Sequence, residues 1–210
     1  MRPGQVTMLL LACAVACGRP MFVSIGQVTL ADADGVVAPE AGPVLELGPG
    51  ADAPLPKIPA GAKVVQIAAA RDLPYARVHE LVKAVHAAGA RPVLLVGQRG
   101  KVMALPHTVD AVAQSILLDA NMEGDEAKAC ISPPAAVERV CTKRPGSAHV
   151  DRAFVRELVR DAVKGYQLTH VHVRPDGSLT WGDAVRAIDG ARTCCGKDVA
   201  IAISLEDLAI

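Results

Sequence analysis

Between Leu73 and Gly89 the apolar positions fall at Val78, Leu81, Val82 and Val85, an i, i+3, i+4, i+7 spacing that lines one face of a helix. Arg77, Glu80, Lys83 and His86 take the remaining surface. Pro74 suits the first turn, where a missing N–H costs nothing, and Ala88-Gly89 supplies a left-handed stop. Short apolar runs flank this helix: Val64–Ala68 before it, and Val93–Val96 after Pro92, which bars further helix. Strand, helix and strand in that order predict a right-handed βαβ crossover with parallel pairing.

The helical period returns after Asp151, a candidate cap. Phe154, Val155, Leu158, Val159 and Ala162 form one stripe, and Arg156, Glu157, Arg160 and Lys164 form a solvated face. His170–Arg174 reads as a strand. The turn Pro175-Asp176-Gly177-Ser178 follows, in which proline fixes φ and Gly177 is expected at positive φ. Thr180 with Asp183 resembles a capping box with Asp in place of Glu. Val185, Ile188 and Ala191 face inward, and Val199–Ile203 closes the unit. Elsewhere the pattern is weaker. Met21–Ala31 reads as a strand, and Asp32–Lys57 as a loop-rich stretch with a short strand at Val44–Leu47. Thr108–Ala120 fits a helix through Val109, Val112, Ile116 and Leu117, or a strand opening at Ser115. Asn121–Ser147 is polar and expected to be an extended loop.

The two periodic stretches are versions of each other. Lys63–Gly97 and Thr169–Ile203 align without a gap at an offset of 106 residues. Val65 falls on Val171, Ile67 on Val173, Leu73 on Leu179, Tyr75 on Trp181 and Val82 on Ile188. Val93 then falls on Val199 and Leu95 on Ile201. The repeat predicts an α+β or α/β chain of two small strand–helix–strand domains with mixed sheets, over residues 21–105 and 106–210.

Composition narrows the function classes. Lys and Arg number 22, as do Asp and Glu, so the formal charge is zero and a nucleic-acid partner is not expected. Phe22, Tyr75, Phe154, Tyr166 and Trp181 are the only aromatic residues, which leaves little for a stacking platform. Residues 1–17 look like an export signal: Arg2 precedes an apolar run, Met8–Ala16, too short to span a bilayer. Two cysteines stand where lipid attaches. Cys13 has the better aliphatic residue three positions ahead, and Cys17 the better small residues and longer apolar run. An ordinary cleaved signal is the alternative. Cys130, Cys141, Cys194 and Cys195 suit disulfides in an exported chain. Cys130–Cys141 would close a short loop, adjacency argues against Cys194–Cys195, and a link between the two pairs is equally open.

Candidate chemistry is sparse. His170 and His172 point to one face of a strand, and with Cys194 and Cys195 they form the alternative reading of a metal- or ligand-binding periplasmic protein. A zinc site lacks the usual CxxC spacing, and His79 and His86 lie too far apart for one ion. Asp72, Asp176 and Asp183 are explained by turn and capping roles, and no nucleophile or phosphate-loop motif is present. The expectation is a noncatalytic protein without cofactor or bound metal.

Both units resemble the periplasmic domain of the ExbD/TolR family. In the first, the residues that carry the resemblance run from Ala70-Arg71-Asp72-Leu73-Pro74-Tyr75 through Ala88-Gly89 to Val93–Val96. In the second they run from Arg174-Pro175-Asp176-Gly177 through Leu179-Thr180-Trp181-Gly182 to Val199–Ile203. The helix over Asp151–Gly165 and a strand over Ser115–Asn121 match elements that precede these in the family. The resemblance implies a strand ending in a polar turn, an aromatic step, a helix and a final strand. It also implies work beside a membrane motor, with envelope proteins such as motor subunits or a TonB-like protein as partners, and dimerisation. The proton-bearing aspartate of the family's transmembrane helix has no counterpart, since the Met8–Ala16 run holds no acid. The implied protein is an accessory or scaffold of an envelope energy-transducing transport complex, on the periplasmic side of a bacterial envelope and held by a lipid anchor at most. Two fused domains would mimic the family's dimer in one chain. An orphan lipoprotein of convergent topology, or a homodimer through an exposed edge, are the other outcomes.

Overall fold

A computed structural model describes residues 22–50, 52–109, 114–134, 139–196 and 199–206, and in it the chain is a mixed α+β protein. Among these residues, β1 (Ser24–Ile25) and β2 (Val28–Thr29) form a small hairpin. The expected single strand over Met21–Ala31 is therefore two, because the chain reverses at Gly26-Gln27. A four-stranded sheet has the order β3 (Val44–Leu47), β4 (Val64–Ala69), β5 (Arg91–Gln98), β6 (Lys101–Leu105). Strands β3, β4 and β5 are parallel and β6 is antiparallel. Helix α1 (Tyr75–Ala87) joins β4 to β5. Its stripe of Val78, Leu81, Val82 and Val85 is fully buried, as the periodicity requires.

The stop at the end of α1 follows from backbone freedom. Gly89 sits at φ +75°, and the N–H groups of Gly89 and Ala90 donate to His86 and Val85, closing the last turn. Pro74 lies one residue outside the first turn, as the extended N-cap (ψ 134°). Past the end of β4, the segment after β2 takes over as partner, with Asp32 bridging Gly97 and Val37 bridging Ala104.

The second sheet has five strands in the order β11 (Ala200–Ile203), β10 (His170–Pro175), β7 (Ile116–Glu123), β8 (Glu126–Ser132), β9 (Val140–Lys143). Strand β10 is parallel to both β11 and β7, and β8 is antiparallel to both β7 and β9. The stretch expected as a polar loop, Asn121–Ser147, thus holds the end of β7 and all of β8 and β9. Ala127, Ala129, Cys130 and Ile131 are buried between half-buried Glu126, Lys128 and Ser132, a strand whose small residues mask the period. From Ile116 the ambiguous stretch is strand β7, while Val112 of the alternative helix lies outside the described residues. Helix α2 (Arg152–Tyr166) starts at Asp151, whose carboxylate accepts from the N–H groups of Ala153 and Phe154. Val155, Val159 and Ala162 are buried, but Phe154 is 36% exposed and leaves the expected stripe.

Helix α3 (Trp181–Thr193) follows β10 and lies against α2. Gly190 makes that approach feasible: a Cβ there would stand 2.8 Å from Val155 Cβ and 2.9 Å from the Arg152 carbonyl oxygen. Strands β4 and β10 have six residues each, helices α1 and α3 thirteen, and each pair starts 106 positions apart. The last strands depart from that offset. Ile67 pairs with Leu94, whereas its counterpart Val173 pairs with Ile203. The ungapped matches Val93–Val199 and Leu95–Ile201 are therefore displaced by three residues, absorbed in the longer connection after α3. One hydrophobic core runs through both units.

Candidate functional site

Every α-helix begins with N–H groups that have no partner inside the helix. In α1 the cap is Pro74, whose side chain offers no acceptor. The donors are met by the other unit: Tyr75 N–H donates to the Leu179 carbonyl (2.7 Å) and Ala76 N–H to that of Gly177 (3.3 Å). The reverse pair exists as well. Trp181 N–H donates to the Leu73 carbonyl (2.6 Å) and Gly182 N–H to that of Arg71 (2.7 Å). Each bond is the other with 106 added to one partner and subtracted from the second, so an approximate two-fold axis runs through the antiparallel bridge of Pro74 with Thr180. The extended backbone of both N-cap residues leaves them free to pair in this way.

Side chains reinforce the axis. The Tyr75 and Trp181 rings stack with centroids 6.3 Å apart and planes 11° from parallel, and both are fully buried. Burial pushes the Tyr75 phenol well above its ordinary range, so it stays neutral. Among the described residues Trp181 Nε1 has no hydrogen-bond partner, a cost accepted for the packing. Gly182 explains the shorter of the two lateral bonds, since a Cβ there would press on the Arg71 carbonyl at 3.1 Å. Its counterpart Ala76 carries that Cβ, and its bond is longer.

A second lock joins the N-terminal segment to the second unit. Asp189 is wholly buried on α3, and its carboxylate accepts from the N–H groups of Asp34 (3.1 Å) and Gly35 (2.6 Å) and from Arg152 Nε (2.9 Å). Arg152 also reaches the Asp34 carboxylate (2.6 Å) and the Asp32 carbonyl (2.7 Å). Burial raises the pKa of Asp189, against the lowering effect of Arg152 and the two N–H groups. Asp189 was not singled out in the sequence, although a carboxylate four residues after Val185 on an inward-facing stripe was a legible sign.

The other expected residues are dispersed. Thr180 caps α3 by accepting from the Asp183 N–H, and the Asp183 carboxylate accepts from Thr180 Oγ1 and the Val150 N–H. Asp176 closes the β10–α3 turn by accepting from the Ser178 N–H, and Gly177 is not at positive φ, contrary to expectation. Asp72 is exposed and pairs with its neighbour Arg71. Cys130 and Cys141 face each other across β8 and β9 and are bonded. Cys194 and Cys195 are bonded to each other, the pairing that adjacency argued against; both pack partly buried on the core just after α3. His170 and His172 share the half-buried outer face of β10, and burial lowers the His172 pKa. Among the described residues no third His, Cys, Asp or Glu joins them in a ligand cluster. Cys13 and Cys17 lie outside the described residues, in which no helix is long and apolar enough to cross a membrane.

No known family model matches the chain, and no curated protein matches its sequence. The geometry of the axis is that of a self-complementary interface: the groups it satisfies are backbone donors at two helix starts, and what it produces is a fixed orientation of two units.

Proposed function

We propose that this chain is a noncatalytic, exported accessory or scaffold of an envelope energy-transducing transport complex, built from two units similar to the ExbD/TolR periplasmic domain. The reciprocal capping of α1 and α3 across Pro74 and Thr180 carries this reading. It is the arrangement expected where two copies of a dimerising domain have become one chain. The element order supports it too. In the second unit a strand, β7, and a helix, α2, precede the sequence of strand, polar turn, aromatic Trp181, helix and closing strand that the resemblance implies.

Partner binding then falls to the sheet edges. Strands β3 and β9 end their sheets with Val44 and Val140 exposed, and an unpaired edge accepts an added strand from another protein. Strand β11 is less open, because Thr108 already bridges to Ala202. Lipid attachment at Cys17 or Cys13 would hold the chain at the periplasmic membrane surface. Cross-linking of tagged protein in intact cells, with mass spectrometry of the captured proteins, tests the reading. Motor subunits or a TonB-like protein cross-linked near β3 or β9 are the expected result. Recovery of unrelated enzymes, or of the protein alone, would reduce the resemblance to shared topology.

A further inference from the structure

The chain as a whole is neutral, but its charge is not evenly spread. A cleft of about 440 Å³ opens beside the start of α2, lined by Arg144, His149, Asp151, Arg152, Arg156 and Arg186. Three separate parts of the chain supply these arginines: the loop after β9, the first turns of α2, and the second turn of α3. An adjoining cavity of about 300 Å³ shares His149, Arg152 and Arg186 and adds Arg71.

The acids nearby are already occupied. Asp151 spends its carboxylate on the first N–H groups of α2, and Arg144 approaches its other oxygen only to 3.6 Å. Asp183 is held by Thr180, the Val150 N–H and His149, and Arg186 stands 3.9 Å from it. Arg152 is consumed by Asp189, Asp34 and Asp32. Arg156 has no hydrogen-bond or ion-pair partner among the described residues. Arg144 and Arg186 thus hold one long ion pair each and Arg156 none, and the three face one cleft, where an anion would relieve their mutual repulsion.

The geometry selects the kind of anion. The permanent cations lining the cleft are all arginines, whose planar forks pair bidentately with oxyanions. A carboxylate presents one planar edge and one charge. A phosphoryl group presents three oxygens in three directions and up to two charges, and so meets guanidinium groups that arrive from three elements. We propose that this cleft binds a phosphoryl-bearing polyanion, with Arg156 and Arg186 as its principal contacts and Arg144 closing over it. The site is independent of the envelope role proposed above, since neither the pseudo-two-fold axis nor the sheet edges contribute to it.

Titration calorimetry on the exported chain in low-salt buffer provides the test, with inorganic pyrophosphate as the free probe. Phosphatidylcholine vesicles with and without phosphatidic acid provide the lipid-borne one. Saturable binding of either probe is expected, weakened about tenfold or more in R156Q/R186Q, because charged hydrogen bonds to the oxyanion are lost. Arg160→Gln, on α2 but outside the cleft, removes one such charge and is expected to leave affinity unchanged. Pyrophosphate binding identifies a soluble ligand, and binding confined to phosphatidic acid vesicles identifies a headgroup. Buried Trp181, the chain's one tryptophan, reports by its fluorescence that the variants are folded. Absence of saturable binding to both probes by folded protein, or equal losses in R156Q/R186Q and R160Q, would overturn the proposal.

Discussion

Helices α1 and α3 occupy equivalent places on their strands, yet they bury different chemistry. Where α1 has Val78, Leu81, Val82 and Val85, α3 has Ala184, Ala187, Ile188 and Ala191. Helix α1 meets α3 far less extensively than α2 does, and it covers its sheet with large side chains. Helix α3 is wedged between its sheet, α2 and the Asp34-Gly35 segment, so small residues let three neighbours close in. The charges invert as well: Arg77 with Glu80 on α1 answers Asp183 with Arg186 on α3, and Lys83 answers Asp189. A repeated backbone path therefore does not impose a repeated surface. What packs against each helix decides its side chains.

The stacked rings on the axis belong to both units, and their loss has the largest expected effect. Trp181→Ala is expected to cost about 4 kcal/mol and Tyr75→Ala about 3, typical of large buried aromatics. The double variant should lose less than the sum by roughly 0.5–1.5 kcal/mol if the rings stabilise each other. Urea unfolding followed by circular dichroism measures all three, and strict additivity would show that the two units meet without cooperating there.

Breaking one ion pair in each half comes next. Arg152→Ala strands the buried Asp189 carboxylate and is expected to cost about 3 kcal/mol. Arg77→Ala removes a surface pair with Glu80 and should cost only about 0.5 kcal/mol. Similar losses from both would mean that α3 is no more enclosed than α1. At the matched positions Gly190 and Ala84, Gly190→Ala drives a Cβ into Val155 and is expected to cost about 2 kcal/mol by overpacking. Ala84→Gly should cost about 1 kcal/mol through backbone entropy alone. Thermal melts of the two variants compare them directly.

The smallest effect is in pH. Burial raises the pKa of both Asp189 and Asp32, so the folded chain holds protons there that the unfolded chain has released. Stability should therefore fall as pH rises from the ordinary aspartate range through the raised values, then level off. Asp189→Asn removes one of the two contributions and should flatten that part of the profile. An unaltered slope of urea midpoint against pH in the variant would show that Asp189 does not titrate in this window.

Much of this molecule was legible in the residues because its helices are strongly periodic. The α1 stripe, the Gly89 stop, the Asp151 cap and the Thr180–Asp183 pairing all rest on local rules, and local rules are written in adjacent positions. The antiparallel strands β8 and β9 were not legible, since Ala127 and Ala129 are too weakly hydrophobic to announce a buried face. The hairpin at Gly26 was hidden inside a run of strand-forming residues. The axis itself was half visible. The match of Tyr75 with Trp181 stood in the alignment, but that these two residues touch is a tertiary fact. The arginine cleft could not be read at all, because Arg144, Arg156 and Arg186 come from three elements whose convergence only the fold reveals.

A homodimer must present the same residue on both sides of its axis, and any substitution is felt twice. Here the two sides are separate stretches of one gene product, so Trp181 can face Tyr75 and a glycine at 182 can face an alanine at 76. Association of the halves also ceases to depend on how much protein is present: dilution cannot separate them, and their meeting is a first-order event with an effective molarity set by the connecting chain. One half is thereby free to keep the shared architecture while the other changes its surface, with no requirement that the change be tolerated in duplicate.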